Sequence, residues 1–358
     1  MQNTHVKRVR DYLQVTPELA WFSALLIVMA IGWTYSTLLP SLSISPLFIS
    51  ALLAIGLYAA ATGIDIHEAR KDKKLILSAI TIGVLAKALI IGVICSLLIS
   101  SPLGLIAGVI YSQIDPLSVA AMQHTSRMST RAKHTIHAWA TFDDPVSVLL
   151  ARYILPFAVA ALGSSALSSM VGGLIDWVIQ LLLNLLLGFA AFIIWRLIRG
   201  HRYASYFETG LLIAALLLAI GSGLLLAVAI IGLFLRPISE LHINKIVLLA
   251  YACAVFLIGT LLTGTINLGL GIIIGIIAYA THYIVSEVLT RWQGLNSRDR
   301  LHIGLGQQSG LTACNLIILF ATVAPTVIAI CIPALVVINL LHLTANSLLA
   351  RNELRISR

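Results

Sequence analysis

Apolar residues in this chain run together in long blocks instead of alternating with polar ones. Twelve such blocks fall near 19–39, 47–66, 75–99, 103–122, 135–160, 169–197, 207–220, 222–236, 245–263, 266–290, 301–321 and 325–348. A helix that crosses a bilayer needs about 20 predominantly apolar residues. The pattern therefore predicts an all-α polytopic membrane protein of about twelve spans, forming one transmembrane domain over 19–349. The polar stretches 1–18 and 350–358 flank it. Spans seven and eight are short and separated only by Gly221, Ser222 and Gly223, so they could also form one long kinked helix.

The basic residues decide between those two readings. Lys7, Arg8 and Arg10 precede span one, and Arg70, Lys71, Lys73 and Lys74 follow span two. Arg127, Arg131 and Lys133 follow span four, and Arg196, Arg199 and Arg202 close span six. Arg236 and Lys245 follow span eight, Arg291, Arg298 and Arg300 follow span ten, and Arg351, Arg355 and Arg358 follow span twelve. All but two of the 23 Lys and Arg residues thus share one side, which the positive-inside bias assigns to the cytoplasm. Both termini are then cytoplasmic and the span count is even; merging spans seven and eight would put Arg291, Arg298 and Arg300 outside.

Composition narrows the class further. The chain is 59% hydrophobic and only 10% charged, where soluble domains carry about 25% charge, so a soluble enzyme is excluded. The net charge of +9 is accounted for by the loops and needs no nucleic acid. Cys95, Cys253, Cys314 and Cys331 lie inside apolar runs without metal-ligand spacing and read as packing residues. No phosphate loop, metal cluster or catalytic triad is present, and no secretory signal is evident. His67, His124, His134, His201, His242 and His302 lie near cytoplasmic span ends and read as solvated. The tryptophans mostly sit at span ends, where they anchor interfaces.

The two basic residues that topology does not explain are Lys87, at the middle of span three, and Arg152, in the outer half of span five. They share spans three to five with Asp115, Asp143 and Asp144. An ionisable residue at mid-bilayer costs roughly 2.5–3.5 kcal/mol on insertion scales and normally marks an ion or proton path; structural ion pairing is the alternative. Asp143 and Asp144 are adjacent, so on a helix they point about 100° apart. One can face a cavity while the other faces a partner such as Lys87. Pro145 frees the carbonyl of Thr141, one turn back, which beside a carboxylate makes a hard oxygen set suited to an alkali cation. Arg152 could close the outer end of the path or pair with Asp176.

Two spans are interrupted by polar residues. In span four, Tyr111, Ser112, Gln113 and Asp115 cluster just before Pro116, with Ser118 beyond. Proline removes a backbone donor and pushes its predecessor out of helical geometry, and lipid tolerates such a break only where it lines a cavity or is packed in protein. Span eleven has Gln307, Gln308 and Ser309 between glycines at its middle. Paired interrupted helices at corresponding places in two halves point to a binding site between inverted repeats. On span ten, His282 and Glu287 could form a buried pair or part of a cytoplasmic vestibule.

At this point the motifs resemble those of the monovalent cation/proton antiporter superfamily, which is Na⁺/H⁺ exchanger-like. Gly63, Ile64, Asp65, Ile66, His67 and Glu68 resemble its Gly-Leu-Glu-Ile-Asp segment. Ile114, Asp115 and Pro116 resemble its Thr-Asp-Pro motif, and Asp143 with Asp144 resembles the Asp-Asp pair of its electrogenic branch. The stretch from Gly221 resembles its Leu-Ser-Gly-Phe-Leu-Ala segment. Order and spacing agree over roughly residues 47–345.

The resemblance implies two inverted repeats with crossed discontinuous helices in spans four and eleven. It implies a core domain (about 75–160 and 266–348), a dimerisation panel (about 19–66 and 169–263), a homodimer and elevator-type movement in a prokaryotic inner membrane. It makes Asp144 the carrier of a monovalent cation (Na⁺, with Li⁺ or K⁺ as options) and of H⁺ in turn, Asp143 its partner and Asp115 the residue at the crossing. Thr141, Ser112, Ser118, Gln308 and Ser309 would support the site. No cofactor, nucleic acid or soluble partner is indicated.

Three departures stand out. Family members usually keep a Lys or Arg in span ten, but here Gly275 to Glu287 offers only Tyr279, Thr281 and His282, and Lys87 is expected to take over that role. Ile114 replaces the motif Thr, and Pro145 follows the Asp pair. Two alternatives stay open: a non-transporting sensor or scaffold of the same fold, and a sodium-coupled symporter of a small anion that would use Gln307, Gln308 and Ser309.

Overall fold

The computed structural model describes residues 2–39, 45–64, 72–116, 118–119, 122, 126, 128–160, 166–200, 203–263, 266–321 and 323–356. Among them every regular element is helical: α1 (Gln2–Leu38), α2 (Pro46–Thr62), α3 (Lys73–Ile99), α4 (Leu105–Tyr111), α5 (Thr130–Ala160), α6 (Ala166–Ile198), α7 (Ala204–Ser222), α8 (Leu225–Gly232), α9 (Glu240–Thr260), α10 (Leu268–Trp292), α11 (Ser297–Leu305), α12 (Leu311–Phe320) and α13 (Pro325–Ile356). A π-helical turn, Ala79–Gly83, interrupts α3, and a short 3₁₀ turn, Pro102–Gly104, leads into α4. Helix α1 begins well before the first apolar run, so residues 2–18 are helical too.

Seven of these segments are long and apolar enough to cross a bilayer: Leu19–Leu38, α3, Val178–Ile198, α7, α9, α10 and Pro325–Arg351. Four of the other five apolar runs differ for identifiable reasons, and run eight forms the short α8. Runs four and eleven each break near the middle, leaving the short apolar pieces Pro102–Tyr111 and α12, and run two forms α2, of 17 residues. Helix α5 has the length, 31 residues, but carries Arg131, Lys133, Asp143, Asp144 and Arg152.

Helices α4 and α12 are apolar and buried nearly all round, as expected of elements at the centre of a large helical protein. Around them α3 packs along α4, α10 along α13, α1 along α9 and α8 along α2. Outward faces carry exposed Leu182, Leu186, Phe189, Leu197 and Leu217. Contiguous apolar surface of that kind is suited to hydrocarbon, not water.

Residues of several basic loops are bonded to one another or to neighbouring helix ends. Asp72, before α3, forms a bidentate pair with Arg131 at the start of α5. Ser129, just before α5, donates its N–H and hydroxyl to Asp299 of α11. Arg300 pairs with Glu287 of α10 at 2.9 Å. Arg236, after α8, donates to the carbonyl of Ile64 beyond the end of α2.

Candidate functional site

The two interrupted segments meet. Helix α4 stops at Tyr111, residues 113–115 leave helical geometry, and Ser118 and Val119 are helical again. Helix α11 stops at Leu305, and α12 starts at Leu311 after a second interruption. The Asp115 N–H donates to the Gln308 carbonyl at 2.8 Å, which joins the two breaks. Asp115 Oδ2 accepts from the Ser118 N–H at 3.0 Å and from its hydroxyl at 2.5 Å, an N-cap for the segment that follows. The same carboxyl lies against the first residue before α12: a Cβ on Gly310 would collide with it. A negative group thus faces the positive ends of both restarting segments, as helix dipoles favour.

Asp143 and Asp144 point to different neighbours. Lys87 Nζ lies 2.8 Å from Asp143 Oδ2, and both side chains are 0% exposed. The same ammonium stands 5.1 Å from the centre of the Trp139 ring, one turn earlier on α5, within range of a cation–π contact. The π turn of α3 ends four residues before Lys87, and such turns recur near functional sites. Gly108 lets α4 lie flush on α3, since a Cβ there would strike the Ala88 carbonyl and the backbone of Gly92. Taking two charges out of water is costly unless they pair well, and this pair is direct, through Oδ2 alone.

Asp144 instead lines a cavity of about 100 Å³ shared with Asp115 and Thr312. It is lined by Asp115, Pro116, Asp144, Leu311 and Thr312 together with Gly56, Ala59 and Ala60 of α2. Gly63 at the end of α2, His137 in the first turns of α5 and Asn244 in the first turns of α9 also line it. His137 Nε2 is 3.0 Å from the Gly63 carbonyl, so one hydrogen bond ties α5 to the end of α2 beside the cavity. With Asp143 and Lys87 paired, Asp115 and Asp144 are the carboxylates that face the cavity. Among the described residues no group of three or more His, Cys, Asp or Glu could hold a metal ion.

The remaining sequence-selected residues separate into groups. The Thr141 hydroxyl donates to the His137 carbonyl of its own helix. Ser112 bonds the Val109 carbonyl and the Ser147 hydroxyl of α5. Gln308 contributes its backbone carbonyl, and the Ser309 hydroxyl is buried without a hydrogen-bond partner among the described residues. His282 and Glu287 are not paired: His282 Nε2 contacts the Tyr111 carbonyl, and Glu287 pairs with Arg300. The side chain of Arg152, and Asp65, His67 and Glu68, lie outside the described residues. Thr312, His137 and Asn244 join the cavity although no sequence signal singled them out. A Thr three residues beyond Ser309 and a His one turn before Thr141 were the available hints.

The model of the family described as sodium/hydrogen exchanger, transmembrane, matches residues 12–348. Among solved structures, one of the sodium proton antiporter MjNhaP1 from Methanocaldococcus jannaschii at pH 8 superposes with a TM-score of 0.65 at 19% identity, covering 96% of each chain. An electron-microscopy structure of the same antiporter gives a TM-score of 0.66 at 19% identity over 92% of this chain and 90% of that one. No protein with a curated description matches.

Proposed function

This chain belongs to the sodium/hydrogen exchanger family, and from that premise we propose that it exchanges a monovalent cation, Na⁺ in preference to Li⁺ or K⁺, for H⁺ at Asp144. One observation carries the reading. Asp144 and Asp115 share a cavity with the Thr312 hydroxyl, deep in the helical body. A carboxylate in such a place can be neutralised either by a bare cation or by a proton, and each displaces the other. On this reading the cation enters from the side of the basic loops, which the positive-inside bias assigns to the cytoplasm; Gly63, His137 and Asn244, near the ends of α2, α5 and α9, are among the lining residues that support it.

Asp143 takes no part in the exchange while Lys87 holds it; Lys87 supplies the positive charge that span ten lacks. Asp115 sets the floor of the site and shares the cation with Asp144. Movement of α3–α5 and α10–α13 against the remaining helices, elevator fashion and within a homodimer, would then present the same carboxylates to the opposite side. The similarity of the fold to a named sodium proton antiporter supports this arrangement.

The deciding experiment is flux in proteoliposomes with Na⁺, Li⁺ and K⁺ over a range of pH, wild type beside Asp144→Asn. Cation-driven proton movement in the wild type and none in Asp144→Asn is expected. Transport at the wild-type rate in the variant would remove Asp144 from the reaction.

A further inference from the structure

The last carbonyls of an α-helix have no partner within the helix, and a broken helix exposes that problem in the middle of the bilayer. Both interruptions resolve it with side chains. At the end of α4, the Val109 carbonyl accepts from the Ser112 hydroxyl at 3.0 Å, the Ile110 carbonyl from Gln113 Nε2 at 3.1 Å, and the Tyr111 carbonyl contacts His282 Nε2. A carbonyl oxygen can only accept, so Nε2 is the nitrogen that carries the hydrogen. At the end of α11, the Leu305 carbonyl accepts from the Tyr279 hydroxyl at 3.1 Å and from Asn346 Nδ2 at 3.0 Å. Gln307 Nε2 contacts the Ser286 hydroxyl.

Three of these groups, Tyr279, His282 and Ser286, belong to α10. Their spacing of three and four residues puts them on one face of that helix. Ser112 and Gln113 cap α4 from within its own segment, whereas His282 ties the same end to a separate, long helix. Through Tyr279 and Ser286 that helix also holds the other interruption. Lys87 is engaged with Asp143 and is not the donor at either end.

We infer that α10 is the template that sets the two interruptions relative to each other, and that His282 is the positioning residue that places Asp115. Asp115 follows Tyr111 by four residues and is fixed at its other side by the Gln308 carbonyl. Loss of the His282 bond would leave the Tyr111 carbonyl buried without a donor. The end of α4 would then shift to find one, carrying Asp115 away from Asp144.

The transport part of the test rests on the antiport reading; a second measurement does not. His282→Gln keeps a donor at about the reach of Nε2, and His282→Met has the same length without one. In reconstituted flux, Gln is expected to keep the cation KM within about twofold. Met is expected to raise it about tenfold, the order of a buried group left unpaired, with maximal rate little changed. In the purified proteins, hydrogen exchange over residues 112–116 is expected to speed up about tenfold in Met and stay at the wild-type rate in Gln. A Met variant that matches wild type in both measurements, or a Gln variant that resembles Met, overturns the assignment. If Met does not fold, the Gln protein alone decides: a tenfold rise in its KM or faster exchange at 112–116 rejects His282 as a donor. Wild-type protein that moves no protons with any cation defeats the antiport reading, and the exchange measurement then judges His282 by itself.

Discussion

At the scale of single residues, the chain separates two carboxylates that are neighbours in sequence. The 100° step between Asp143 and Asp144 gives one to Lys87 and the other to the cavity. Lys87→Ala would strand Asp143 in a dry site, and breaking a buried pair costs about 3–5 kcal/mol. Thermal unfolding in detergent should show a large loss for Lys87→Ala and a much smaller one for Lys87→Ala with Asp143→Ala, since removing both charges leaves neither unpaired. The charged residues were legible in the sequence because bilayer cost makes them conspicuous. Thr312, His137 and Asn244 were not, because a polar residue at the wall of a cavity looks like any other until distant segments are brought together. The pairing of Glu287 with Arg300 instead of His282 was equally hidden, since it depends on how α11 folds back beside α10.

At the scale of elements, the proline before Ser118 and the glycines around Gln307 announced both interruptions. What they could not announce was their contact, which depends on Asp115 and Gln308 meeting through backbone groups that every sequence possesses. Gly310 is where that contact is most sensitive. An added methyl would run into the Asp115 carboxyl, so Gly310→Ala is expected to abolish exchange while leaving the protein inserted, as a flux assay beside size-exclusion chromatography would register. Run two shows the opposite limit of sequence reading. It is apolar enough to suggest a full span, yet α2 stops at Thr62, and Gly63 offers its carbonyl to His137. Apolar patterning finds helices more readily than it finds their ends.

At the scale of the whole molecule, the antiport reading requires the cavity to be reached from one side at a time, and Asn244 is among the residues that line it. Asn244→Cys, in a background without the four native cysteines, should react with a membrane-impermeant thiol reagent applied from the side of the basic loops. Cation should slow that reaction; labelling confined to the opposite side would reverse the assigned orientation. If two protons enter for each cation expelled, a cycle moves one net charge, and a potential of 100 mV contributes about 2.3 kcal/mol per charge. Exchange driven by an imposed, inside-negative potential is therefore expected. Rates indifferent to that potential would establish one-for-one exchange instead.

Asp299 grips Ser129 through two hydrogen bonds, at 2.9 and 2.6 Å, and Asn296 braces it at 2.8 Å. This clasp yokes the start of α5, bearer of the Asp pair, to the start of α11, which leads into the second interruption. In the proposed elevator cycle those two segments would ride together, so a molecular ruler laid from Ser129 to Asp299 would read one length throughout. A ruler from His137 to Gly63 would cross the proposed sliding boundary and read at least two, which would make the pair of distances a direct gauge of which parts are the car and which the shaft.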